Sequence, residues 1–266
     1  MKINLVKKNK MKIRFAASPH RGKIRKVNQD NVVIGENIIL KDSFGAGKMC
    51  SEDFQNEHAS IFGIFDGIGG LENGEIASYI AAEMVGKSNK SLWENEGKFL
   101  NQICKKANDN ICLEIERTKD RMGTTVAILL VKNRRIWTCN IGDSPIYRYR
   151  AGKLEALYEE HSERKLRIEL SGEESVKGKK FPLTQYLGIP NDVLELSPFI
   201  TNEEIKCGDI FLLCSDGLTD MVFIDEIEEV LAKELDLKEK VYWLEEHALA
   251  NGGKDNISII IVKISN

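Results

Sequence analysis

Three aspartates from distant parts of the chain stand where an apolar run meets a turn. Asp66 closes the run Ile61-Phe62-Gly63-Ile64-Phe65 and is followed by Gly67-Ile68-Gly69-Gly70. Asp216 stands after Ile210-Phe211-Leu212-Leu213-Cys214-Ser215, again with glycine next. Asp255, with Asn256, precedes the run Ile257 to Val262. Each pattern puts a carboxylate at the lip of a sheet. Glycine there permits positive φ or the close approach of a ligand. Three such carboxylates together would form a cluster of oxygen donors for hard divalent cations. Taken singly, Asp-Gly and Asp-Asn are ordinary turn chemistry; it is the set of three that points to a metal site.

The surrounding pattern must supply the sheet edges. Apolar runs predict strands at Lys12–Ala17, Asn31–Ile34 and Ile61–Phe65. Two helices follow. Ile76, Ile80 and Met84 share a face of Gly74–Lys87, and Ile103, Ala107, Ile111 and Ile115 form a stripe on Lys98–Arg117. Strands return at Thr124–Lys132, Arg135–Asn140, Ile146–Arg150 and Lys153–Leu157, with hairpin turns at Asn133-Arg134 and Ala151-Gly152. After a polar stretch come a strand at Asp209–Cys214, helices at Asp225–Leu235 and Glu239–Leu249, and a last strand at Ile257–Ile264. Hairpins and helix pairs without βαβ alternation predict an α+β fold: two packed antiparallel β-sheets flanked by pairs of helices. One domain is expected over residues 1–266, with no linker, repeat or low-complexity tract.

Bulk properties exclude several classes. The hydrophobic content of 42% and charged content of 30% are those of a globular chain. A net charge of −3 gives no electrostatic case for nucleic acid. No apolar run reaches the ~20 residues of a membrane span, and the N-terminus lacks a signal-peptide core. The six cysteines are scattered without a C-x-x-C pair. Cys139, Cys207 and Cys214 read as core residues in a reducing compartment, so a cytoplasmic protein is expected. With four histidines, none near a cysteine in sequence, a zinc site is not expected.

Seven motifs, in order, resemble those of the metal-dependent serine/threonine protein phosphatases of type 2C, the bacterial branch above all. They are Arg25-x-x-Asn28-Gln29-Asp30, Asp66-Gly67-Ile68-Gly69-Gly70, Gly123-Thr124-Thr125, Asn140-Ile141-Gly142-Asp143-Ser144, Leu183-Thr184-x-x-Leu187-Gly188, Ser215-Asp216-Gly217-Leu218 and Asp255-Asn256. The resemblance implies hydrolysis of phosphoserine and phosphothreonine monoesters by direct attack of a water activated by two Mg²⁺ or Mn²⁺ ions. Two cations roughly 3.5–4 Å apart lower the pKa of such a water and neutralise charge on the phosphoryl oxygens.

It also implies roles. Asp66 would bridge both ions, with the Gly67 carbonyl on the first and Asp216 and Asp255 on the second. Asp30 would order metal-bound water from the second sphere, and Arg25 would grip the phosphate. Asp143 reads either as a ligand of a third, weaker ion or as a plain turn residue. Gly123-Thr124-Thr125 reads as packing near the site. Where many animal members carry a histidine proposed as general acid, this chain has Ile68. His20 and His161 read as surface histidines rather than substitutes for it. The charged segment from His161 to Lys180, within a flap-like region of about 161–190, reads as a substrate-selecting lid.

The implied partners are a phosphorylated protein and a Ser/Thr kinase or its targets; neither nucleic acid nor a membrane is expected, and the protein is expected to be a monomer. A catalytically weak, metal-binding regulatory module of the same fold is the alternative.

Overall fold

The computed structural model describes residues 11–35, 38–40, 50–55, 60–68, 73–88, 95–164, 168, 170 and 181–265. The end of the glycine motif at Gly69-Gly70 and most of the charged flap segment lie outside them.

The strands are β1 (Lys12–His20), β2 (Asn31–Ile34), β3 (Ile38–Leu40), β4 (Cys50–Gln55), β5 (Ser60–Phe65), β6 (Val126–Lys132), β7 (Arg135–Ile141), β8 (Ile146–Arg150), β9 (Lys153–Ala156), β10 (Phe199–Glu204), β11 (Ile210–Cys214) and β12 (Ile257–Ser265). The helices are α1 (Gly74–Gly86), α2 (Glu96–Thr118), α3 (Asp216–Thr219), α4 (Ile224–Ala232) and α5 (Leu237–Ala250). The strands form two six-stranded sheets, β4-β1-β12-β11-β8-β9 and β10-β7-β6-β5-β2-β3. Every adjacent pair is antiparallel. The expected sandwich with outer helices is what forms.

β12 shows why its sequence reads as one apolar run. Strand side chains alternate between faces, and here both faces are covered. Ile260, Val262 and Ile264 join Phe15, Phe62, Leu129 and Phe211 between the sheets. Ile257, Ile259 and Ile261 face outward and pack with Ile227, Val241 and Leu244 of α4 and α5. On the other side of the sandwich, Ala81, Leu100 and Ile111 of α1 and α2 lie against Phe65, Ile128 and Cys139. The layers are therefore helix, sheet, sheet, helix.

Local chemistry fixes the element ends. Asn95 caps α2 by accepting from Lys98 N at 3.0 Å, and Asp236 caps α5 in a reciprocal box with Glu239. Asn133 and Arg134, at φ 50° and 62°, make the β6–β7 turn; Ala151 and Gly152, at 51° and 82°, make the β8–β9 turn. Two left-handed residues in a two-residue loop match the twist of the paired strands.

β3, β4, β10 and α3 lie outside the sequence-derived elements. β10 is an edge strand with mostly half-exposed residues, and Asn202, Glu203 and Glu204 hide its strand character. α3 is a four-residue turn that begins on Asp216 itself. Among the cysteines, Cys139 and Cys214 are buried as expected, but Cys207 is exposed in the turn before β11. No described helix is long and apolar enough to cross a membrane.

Candidate metal and phosphate site

Antiparallel register brings the chosen residues to one edge of the sandwich. The end of β1 lies beside the start of β12, since His20 pairs with Ile257. The end of β11 meets the same edge, since Cys214 pairs with Ile259. In the second sheet Asn31 pairs with Phe65, so the start of β2 and the end of β5 coincide. Asp30, Asp66, Asp216 and Asp255 thus come from four separate segments to one place, and Ser258 Oγ donates to Asp30 Oδ2 at 2.7 Å across the sheets.

Backbone packing holds the lips together. Gly67 N donates to Gln29 O at 3.2 Å, and a Cβ on Gly67 would lie 2.5 Å from Gly74 O. A Cβ on Gly217 would lie 1.9 Å from Asn256 O. Neither glycine has positive φ. Their freedom is used for close approach of backbone to backbone, not for the left-handed turn that Asp-Gly alone brings to mind.

Asp66 is fixed through its main chain. Thr125 N and Thr124 Oγ1 both donate to Asp66 O at 2.9 Å, and Asp66 N donates to Thr125 Oγ1 at 3.1 Å. The Gly123-Thr124-Thr125 motif therefore does more than pack: it anchors the peptide of the proposed bridging carboxylate. The hydroxyl-bearing type at both positions is the sequence signal for this.

Electrostatics show how closely the carboxylates gather. Burial pushes the Asp66 carboxyl well above the usual carboxylate range, and Asp30, Asp216, Asp143 and Asp255 add to the rise in that order. Burial pushes Asp30 up to about 7, moderated by the Ser258 and Ser215 hydroxyls and raised further by Asp255 and Asp216. Like charges crowded around a buried Asp30 and half-buried neighbours call for a compensating cation. The donor set suits Mg²⁺ or Mn²⁺: its acceptors are oxygens, and Asp30 Oδ1 is buried without a hydrogen-bond partner among the described residues. Among the described residues, no three His, Cys, Asp or Glu side chains converge tightly enough to coordinate one ion. That is compatible with hard ions that take one or two carboxylates each and keep several waters.

Arg25 reaches into the cluster and pairs with Asp255, Nη2 to Oδ2 at 2.8 Å. Asp255 raises the guanidinium pKa, chiefly through that hydrogen bond, with further help from Asp66 and Asp216. Asp143 stands in the β7–β8 turn and lines a cleft of about 50 Å³ with Asp216, Glu160, Arg164 and Phe181. Arg164 and Phe181 flank the charged flap segment. The base of that segment is tied by a bridge between Ser162 and Leu183 and by Thr184 N donating to His161 O at 2.9 Å.

The histidines correct one expectation. His161 is buried, not at the surface, and accepts from Gly142 N through Nδ1 at 3.2 Å. His20 Nδ1 accepts from Gly22 N at 2.8 Å. Both hold turns beside the site. Asn256 carries more than its motif disclosed: its Nδ2 donates to Arg21 O and Val27 O at 2.8 and 3.1 Å, and its Oδ1 accepts from Gln29 N at 2.9 Å.

Residues 41–245 match the family model described as Protein phosphatase 2C. The chain belongs to the protein phosphatase 2C family. It is 30% identical over 254 residues to the serine/threonine phosphatase stp of Listeria monocytogenes, covering 91% of this chain and 92% of that one. It is 26% identical over 257 residues to the serine/threonine protein phosphatase PstP of Mycobacterium tuberculosis, covering 95% of this chain and 45% of that longer protein. The solved catalytic domain of PstP, in complex with two manganese ions, superposes with a TM-score of 0.76 at 24% identity, over 96% of this chain and all of that one. This family member is a metal-dependent serine/threonine protein phosphatase, and its substrates are phosphoproteins.

Proposed function

We propose that the phosphatase acts at the edge where Asp30, Asp66, Asp216 and Asp255 meet, and that phosphate binds against Arg25. The gathering of Asp30, Asp216, Asp143 and Asp255 around the Asp66 carboxyl carries this reading. Asp66, the Gly67 carbonyl, Asp216 and Asp255 would hold two Mg²⁺ or Mn²⁺ ions, with Asp143 available to a third. Bound ions would supply an acidified water as nucleophile and charge neutralisation at the phosphoryl oxygens.

The chain's own residues do the rest. Thr124 and Thr125 fix the Asp66 backbone, so its carboxylate is aimed before any ligand arrives. Asp30, held by Ser258, would order metal-bound water from the second sphere. Arg25 offers its guanidinium fork to phosphate oxygens, steered by Asp255. The manganese complex of PstP supports two ions as the starting count. The scattered cysteines, free at Cys104, Cys112, Cys139, Cys207 and Cys214, support a reducing, cytoplasmic setting, and a kinase that phosphorylates the same proteins is the natural counterpart.

The test is hydrolysis of a phosphothreonine peptide and of p-nitrophenyl phosphate with Mn²⁺, with Mg²⁺ and with chelator, for wild type and Asp216→Asn. Turnover that needs metal and falls by at least about 100-fold in Asp216→Asn is expected. Full metal-dependent turnover in that variant would remove Asp216 from the site.

A further inference from the structure

The connection between β1 and β2 packs four cations into six residues, Arg21, Lys23, Arg25 and Lys26, in a chain whose net charge is −3. No acidic residue interrupts them before Asp30. The connection is rigidly held. Asn256 grips both of its ends through Arg21 O and Val27 O. Lys23 N donates to Gly253 O at 2.8 Å. Gly22, at φ 79°, sits so close to Asp255 O that a Cβ would lie 2.1 Å away.

The held loop has two faces. Arg25 turns inward to Asp255. Lys23, Ile24, Lys26 and Val27 turn outward, with Ile24 67% and Val27 54% exposed. Among the described residues Lys23 and Lys26 form no ion pair. Lys254, next to Asp255, adds a further exposed cation on the same edge. Two exposed aliphatics on a rigid loop cost solvation without any packing return. Their neighbours Lys23 and Lys26 are exposed cations with no ion-pair partner among the described residues.

We propose that the outward face of this loop reads the residues flanking the phosphorylated serine or threonine, and selects peptides with acidic and aliphatic neighbours. The proposal rests on the placement of Arg25 at the phosphate. Consecutive Cα atoms are about 3.8 Å apart, so a phosphate held by Arg25 brings the flanking peptide within one or two residues of Ile24, Lys26 and Val27. Charge complementarity favours an acidic segment, and the exposed aliphatics give it apolar contact.

The experiment compares kcat/KM for phosphothreonine peptides with acidic-aliphatic, neutral or basic flanks, each divided by the value for p-nitrophenyl phosphate, which has no flanks. It uses the whole metal-loaded chain, and the binding of fluorescent versions of the same peptides is measured in chelator. Wild type is expected to favour the acidic-aliphatic peptide by about tenfold over the basic one at low salt, mainly through KM, with the margin shrinking at high salt. Lys23→Glu/Lys26→Glu is expected to erase or invert that order, and Ile24→Ser/Val27→Ser to lower the ratio for the aliphatic flank about fivefold. An unaltered order of peptides in both double variants would overturn the proposal while leaving the phosphate site standing. Unchanged hydrolysis of every compound by Arg25→Ala would instead remove the phosphate from Arg25, and the proposal with it.

Discussion

Asn256 makes three hydrogen bonds to the segment that carries Arg25, and its neighbour Asp255 pairs with Arg25 directly. Truncation in Asn256→Ala leaves two carbonyls and one N–H without their partner. A buried polar group left unmade costs about 1–3 kcal/mol, so the variant is expected to lose about 2–4 kcal/mol of stability in urea titration. Because the loop places the guanidinium rather than performing a bond change, KM for a phosphopeptide should rise more than kcat falls. An equal fall in kcat and kcat/KM would assign Asn256 to the transition state instead. Thr125→Val tests the anchoring of Asp66 in the same way. It strands Asp66 N, and should lower activity more than it lowers the midpoint of unfolding. Both residues lay inside recognised motifs, yet nothing in the residue types said which carbonyl or N–H each would meet. Such partners lie 59 to 235 positions away in sequence, and only the folded register brings them close.

At the level of elements, Gly67 and Gly217 at the carboxylate lips make a sharp contrast with Gly97 in the long helix α2. Gly217→Ala would drive a Cβ into the Asn256 carbonyl, separating the α3 start from the β12 start. Overpacking of this kind typically costs about 1–3 kcal/mol, and here the displaced backbone carries Asp216 and Asp255. Activity should therefore fall well beyond what the loss of stability explains. Gly97, in the first turn of α2, meets nothing closer than 4.0 Å, and Gly97→Ala should stabilise the protein by up to about 1 kcal/mol in thermal unfolding.

Elements with strong periodicity were legible from the chain itself: β2 and β8 were bounded to the residue, and α2 to within two. β10 was not, because an edge strand shows solvent one side and its polar residues give no alternation. The hairpin turns were readable at the level of position, although Arg134 and Ala151 are unusual residues for positive φ.

For the whole molecule, the crowding of carboxylates predicts a pH signature of the metal-free form. Asp30 holds its proton up to about 7 in the folded chain, against an ordinary value of 3.8. Between those limits the folded state binds more protons than the unfolded one, so stability falls as pH rises from about 4 to about 7. Asp66 shifts in the same direction. Chelated protein should therefore melt lower at pH 7.5 than at pH 5, with a difference on the order of a few kcal/mol. Mn²⁺ should remove most of that difference at pH 7.5, because ions favour the ionised carboxylates. A chelated protein equally stable at both pH values would mean that the carboxylates are better solvated than their burial implies. The candidate site could be proposed from the sequence because its aspartates sit at strand ends. Its internal electrostatics were not, because burial and mutual repulsion arise only once four distant segments meet.

The Arg25–Asp255 pair joins a candidate ligand of the cation to the candidate ligand of the phosphate. Occupancy of either then changes what the other must give up on binding. Thermodynamic reciprocity makes the two effects equal: if Mn²⁺ tightens a non-hydrolysable phosphate analogue by some factor, the analogue must tighten Mn²⁺ by the same factor. Calorimetric titrations in both orders would measure that number twice. Arg25→Ala should lower it to whatever direct attraction between ion and phosphate supplies, and the drop is the share that the ion pair relays.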